Sequence, residues 1–157
     1  MKWIILVGGL GVGLFAVLAL GLRLVPMPPE RWHVEPADIE PRPSAPNNIL
    51  MVGPNALRAE WEMEEAARRL DDVARASGAQ LIAGDLAQGH ATYVARTPVM
   101  GFPDAISIRL HPSDRPRLDG SPATRIEVFS RARFGYSDLG ANQRRFFAWL
   151  DAVNQGR

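Results

Sequence analysis

Hydrophobic and polar positions divide the chain into stretches with different periods. From Trp3 to Leu22 there is no charged residue, and Ile, Leu, Val, Phe, Gly and Ala fill most positions. A run of about 20 such residues is long enough to cross a bilayer core of roughly 30 Å. Further on, Leu57, Trp61, Met63, Ala66, Ala67, Leu70, Val73 and Ala74 recur at helical spacing. They predict an amphipathic helix from Ala56 to about Ala76, with Asn55 as its cap and Gly78 as its stop. Period two then takes over, in strand candidates over Gln80 to Asp85, His90 to Thr97, Ala105 to His111 and Thr124 to Arg133. Ile106, Ile108 and Leu110 alternate with Ser107 and Arg109. Ile126 and Val128 alternate with Glu127, Phe129, Arg131 and Arg133. Such alternation marks a sheet with one face on a core. Asp119-Gly120 and the prolines around it predict a long-looped hairpin between the last two strands. Leu139, Phe146, Phe147, Leu150 and Val153 give a closing helix its apolar stripe, with Ser137 or Asp138 as its cap.

The order of elements predicts an α+β fold. An N-terminal transmembrane helix precedes an antiparallel sheet of about four strands with two helices packed on one face. The divisions fall at residues 1–25 (transmembrane signal anchor), 26–48 (proline-rich linker) and 49–157 (α+β domain). Residues 26–48 hold Pro26, Pro28, Pro29, Pro36, Pro41, Pro43 and Pro46, which favour an extended, semi-rigid spacer. Trp32 and His33 interrupt it and could rest at a membrane interface or dock on the domain.

The apolar run admits two fates. It is either an uncleaved anchor or a secretory signal cut near Ala19-Leu20-Gly21. The run is longer than an ordinary signal core, which favours the anchor. That places the chain as a single-pass protein of the inner (plasma) membrane with its domain on the periplasmic side. Gly9 and Gly13 form a Gly-x-x-x-Gly pair that could join two such helices into a homodimer.

Charge is balanced overall but not along the chain. Residues 30–89 hold 6 Arg against 11 acids, and residues 90–157 hold 10 Arg against 6. A dipolar domain of that kind is not the uniformly basic surface of a nucleic-acid binder. Cysteine is absent, which removes disulfides, thiolate catalysis and Cys-based metal sites. His33, His90 and His111 stand in no metal-ligand spacing, and no phosphate-loop or nucleophile-elbow motif occurs. No cofactor is expected.

The densest polar grouping is Arg96, Asp104, Arg109, Arg131, Arg133, Asp138, Asn142 and Arg145. Guanidinium forks bind carboxylate or phosphate in pairs of bonds, and the last helix's N-terminus could add amide donors. These eight residues are therefore the candidate ligand site, for an anionic small molecule or a protein partner. The same groups could instead form ion pairs that pin the loops. Phe102-Pro103-Asp104 and Gly135-Tyr136-Ser137-Asp138 read as turns.

Several blocks resemble the family known as domain of unknown function 1499. They are Tyr93-Val94-Ala95-Arg96-Thr97, Met100-Gly101-Phe102-Pro103-Asp104, the stretch Ser130 to Asn142, Arg144-Arg145 and Trp149-Leu150, with Trp32-His33 ahead of them. Gly140-Ala141-Asn142 stands where the family has Gly-Val-Asn, and Phe134 precedes Gly135. The resemblance implies a small, often membrane-associated domain with no established activity. Three functions follow as expectations: a membrane-anchored binding or accessory module, an enzyme using Asp104 or Asp138 beside an arginine, and a self-associating membrane scaffold.

Overall fold

The computed structural model describes residues 2–155, with side chains from Val7 onward. Helix α1 runs Lys2–Arg23 and is followed by a single helical turn, α2, at Pro29–Trp32. Among the described residues no helix is long and apolar enough to cross a membrane. The described side chains of α1 begin at Val7 and so offer fewer than the ~20 residues a span requires. The expected transmembrane span is thus not carried by the structure. Met1 and the side chains of residues 2–6, on which that expectation also falls, lie outside the description.

The domain is α+β, as the alternation of periods predicts, but its sheet has six strands rather than four. They are β1 (Asn48–Met51), β2 (Leu57–Ala59), β3 (Gln80–Asp85), β4 (His90–Arg96), β5 (Pro103–Pro112) and β6 (Thr124–Ala132). The order is β1-β6-β5-β4-β3, with β2 also paired to β6, and every pairing is antiparallel. β5 and β6 form the expected hairpin from Asp104↔Ala132 to Pro112↔Thr124.

Of the two additional strands, β1 lies between the expected linker and the expected helix, overlapping the linker only at Asn48, and β2 falls in that helix's first turn. Leu57 pairs with Ile126, so α3 begins at Met63, not at Ala56, and ends at Ala76. Glu62 holds the cap position without a side-chain bond. The spacing of Leu57 and Trp61 fits a helix, but β6 supplies a sheet edge whose ladder bonds win over local propensity. At the other end the prediction stands. Gly78 takes φ 84°, and the Ala79 amide donates to the Ala74 carbonyl, 3.1 Å away, in a Schellman-like stop.

The two helices that follow the first sheet strands, α3 and α4 (Ala141–Gln155), lie on one face. Ala66, Ala67, Leu70 and Ala74 of α3 meet Phe146, Trp149, Leu150 and Val153 of α4 over Tyr93, Ile106, Ile108, Ile126 and Val128. α4 starts at Ala141, two residues after the expected Leu139. Leu139 and Gly140 both have positive φ, 53° and 77°, which no α-helix accommodates. The opposite face is not left to solvent. Met27 and Trp32 are buried against Val94 and Ala105, so part of the stretch expected to be a spacer lies on the sheet.

Candidate functional site

Strand alternation divides the eight candidate residues between the two faces. On the helix side, Asp104, Asp138, Asn142 and Arg145 converge. Asn142 is fully buried in the first turn of α4. Its amide and side-chain NH2 donate to Asp138 Oδ2 at 2.9 and 2.7 Å. Its own Oδ1 accepts from the Ser130 hydroxyl and, at 3.1 Å, from Arg145. Arg145 reaches on to Asp104 Oδ2 at 2.8 Å. The Gly140 amide closes the hub on Asp138 Oδ1 at 2.8 Å. Asp138 therefore caps α4, as its position ahead of the helix suggests.

The two carboxylates of this hub are driven apart. Burial pushes the Asp104 carboxyl above its ordinary value, and nearby Asp138 adds to that, while Arg145 partly offsets both. Burial acts upward on Asp138 as well, but hydrogen bonds from the Asn142 amide and side chain and the Gly140 amide outweigh it. Its carboxyl falls below the ordinary range. Beside them opens a cleft of about 280 Å³, lined in part by Phe102, Asp104, Phe134, Asp138 and Leu139.

Arg96, Arg109, Arg131 and Arg133 point to the other face and do not share a pocket with the first four. Arg96 donates to the carbonyls of Leu22, 3.0 Å, and Val25, 2.9 Å. Arg133 donates to the Pro26 carbonyl and Arg131 to that of Arg31, the latter at 3.1 Å. Arg131 also lies over the Trp32 ring, 4.6 Å from its centroid, and over Phe129 at 5.0 Å. Arg109 donates from both Nε and Nη2 to Glu35 Oε2. Burial and the nearby Arg31 lower the Arg131 pKa, and burial with the nearby Arg133 lowers that of Arg96. The Glu35 carboxyl is raised by burial but brought below its ordinary range by Arg109.

Four residues on this face were not among the eight candidates. The His33 ring bonds Thr92 Oγ1 at 2.8 Å, and that hydroxyl meets Ser107 Oγ at 2.9 Å. Ser107 donates to the Trp32 carbonyl at 3.1 Å. His90 stacks on His33 with centroids 4.0 Å apart. Thr92 and Ser107 are 0% and 1% exposed, so no substrate reaches the hydroxyl pair. The chain fastens the N-terminal segment rather than serving chemistry. Among the described residues no group of His, Asp and Glu could hold a metal ion.

What the fold and these contacts define is a small α+β domain whose sheet is closed on one side by two helices and on the other by its own N-terminal segment. The chain belongs to the family described as Protein of unknown function (DUF1499), whose model matches residues 38–153. No curated protein matches it.

Proposed function

We propose that this chain is a membrane-anchored binding or accessory module in which the strand arginines lock the domain to its anchor. The observation that carries this reading is the set of guanidinium bonds to the carbonyls of Leu22, Val25, Pro26 and Arg31. The Leu22 carbonyl belongs to the last turn of α1 and the other three follow it, so guanidinium donors on the sheet tie the end of α1 and the segment after it to the domain. The described side chains of α1 support the anchor. From Val7 to Leu20 all but Ala19 are exposed, and most are apolar. A helix apolar all round wants lipid or a core around it. The domain then sits on the periplasmic side of the inner membrane, held close to the bilayer.

Alkaline extraction of native membranes tests the anchor. The full chain stays with the lipid, and its release into the supernatant would refute the tether. Hydrogen exchange on the reconstituted double variant Arg96→Met/Arg133→Met tests the lock. Amides of residues 22–31 lose protection relative to the wild type, whereas unchanged protection removes the arginines from that role.

A second reading rests on the cleft beside Asp104 and Asp138. Two carboxyls displaced in opposite directions are the arrangement of an acid–base pair. In that reading Asp104, kept toward its protonated form, is the proton donor. An infrared carboxyl band present in the wild type at mildly acidic pH and missing in Asp104→Asn supports it; no such band counts against it. Self-association through Gly9 and Gly13 is compatible with α1, because nothing lies within 4 Å of a Cβ built at either.

A further inference from the structure

The strands of the sheet give it two ends. At one, the 97–102 and 133–140 loops follow β4 and β6; at the other, the 113–123 loop joins β5 to β6. Large exposed apolar side chains of the domain gather at the first end: Val99, Phe102, Phe134, Tyr136 and Leu139. Phe102 and Phe134, one from each loop, have ring centroids 6.3 Å apart and join the two loops into one rim. At the second end only Leu118 stands out among the described residues, amid Arg58, Arg117 and Asp119.

Helix α1 ends at the apolar end. Arg23 bonds the Pro98 carbonyl, and a Cβ at Gly101 would collide with the Arg23 side chain. The rim is thus continuous with the exit of α1. Arginines flank it: Arg23, Arg133 with its guanidinium 5.4 Å from the Phe134 centroid, and Arg144, which donates to the Leu139 carbonyl at 2.7 Å. Leu139 is 83% exposed and has φ 53°. A left-handed backbone is unfavourable for a residue with a Cβ, and so exposed a leucine offsets little of that by packing.

We infer that this rim is a second membrane contact, which rests on the bilayer interface and inserts its apolar and aromatic side chains among anionic headgroups. The inference rests on the anchor reading, because it needs α1 in lipid beside it. Apolar side chains between arginines suit that boundary, since the side chains enter the acyl edge while guanidinium groups meet phosphates. An anionic lipid surface fits this rim better than a protein patch, because α1 delivers the rim to the bilayer whatever else binds.

The chain has no cysteine, so single-cysteine labels report cleanly. Val99→Cys and Tyr136→Cys, one in each loop and both at exposed positions, carry an environment-sensitive fluorophore. Leu14→Cys marks α1, and Leu118→Cys marks the far end. The full chain is reconstituted in phosphatidylethanolamine–phosphatidylglycerol vesicles. Labels at 99 and 136 are expected to shift to the blue and to be quenched by spin-labelled lipid several-fold more than the label at 118. If they are as wet as position 118 while position 14 is in lipid, the rim proposal falls and the anchor stands. Should position 14 be wet too, both fall. Shielding at 99 and 136 that rises with protein density and resists lipid quenching would give the rim to a second copy instead, and overturn the proposal.

Discussion

On one face of the sheet, α3 and α4 press Leu70, Phe146 and Trp149 onto Tyr93, Ile106 and Val128. On the other, a proline-broken stretch presses Met27 and Trp32 onto Val94 and Ala105. The first closure is broad and apolar, with a fully satisfied polar hub at its edge. The second is a small apolar patch framed by arginines, hydroxyls and two stacked histidines. Even its tryptophans differ. The Trp61 indole donates to the Val153 carbonyl at 2.9 Å, whereas the buried Trp32 indole N–H meets no protein acceptor. Burying an unpaired donor weakens the contact that buries it. The helix face is therefore the folding core, and the other face is a docked strap whose release need not unfold the domain.

Truncation on the helix face tests that division most severely. Phe146 is 1% exposed and packs on Trp149 with centroids 6.1 Å apart. Phe146→Ala is expected to cost about 4 kcal/mol of global stability through lost burial and the cavity left behind. Denaturant unfolding of the full chain in detergent reads it. A cost below about 1 kcal/mol would move the core elsewhere.

Next in size is the hub. Asn142→Ala removes the acceptor of Ser130 and Arg145 and a donor to Asp138. Stranded polar groups of this kind cost about 1–3 kcal/mol, and here several are stranded together. We expect about 3 kcal/mol by the same measurement. Asn142→Asp is expected to be no milder, because it adds a buried charge beside Asp104 and Asp138.

The strap behaves differently. Trp32→Ala removes a buried side chain that anchors the segment, an effect of about 2 kcal/mol on docking. Limited proteolysis should cut residues 26–39 faster while the unfolding midpoint moves little. If the midpoint falls as far as in Phe146→Ala, the two faces form one cooperative unit and the comparison fails.

The same contrast explains what could be read from the sequence. Ile106, Ile108, Ile126 and Val128 alternate cleanly because one wide apolar surface dictates their period, and α3 and α4 carry matching stripes. Four strands, two helices and their shared face were legible for that reason. β1 and β2 were not, because each is three or four residues long and half-buried, too short to establish a period. Asp138 and Asn142 could be placed on the helix start, but their partner Ser130 depends on register across the sheet. The strap was hidden because its partners are distant: Arg133 and Pro26 are 107 positions apart, Arg109 and Glu35 74. The arginine cluster was read as an anion site or as ion pairs to Asp104 and Asp138; for the four strand arginines, backbone carbonyls and Glu35 are the partners instead. Only Trp32-His33, an aromatic pair amid prolines, signalled docking.

The smallest expected effect is a pH dependence confined to the strap. The His90 ring stacks on His33, donates from Nε2 to the Val34 carbonyl 3.1 Å away, and is near Arg109 and Glu35. Burial lowers its pKa below the ordinary 6.5, and His33 and Arg109 act in the same direction; the Val34 carbonyl and Glu35 oppose them without cancelling them. The docked strap therefore binds a proton less readily than the released one. By linkage, His90 favours docking fully above 6.5, and that contribution is lost as pH falls through the lower docked value. Glu35 adds to the loss at still lower pH, since its docked pKa lies below its ordinary 4.5. Hydrogen exchange compared with His90→Gln at each pH isolates the effect. Protection of residues 27–39 should fall in the wild type between neutrality and mild acidity, more than in the variant, while amides of α4 stay unchanged. Equal loss in both proteins would take the switch away from His90, and matching loss in α4 would join the strap to the core.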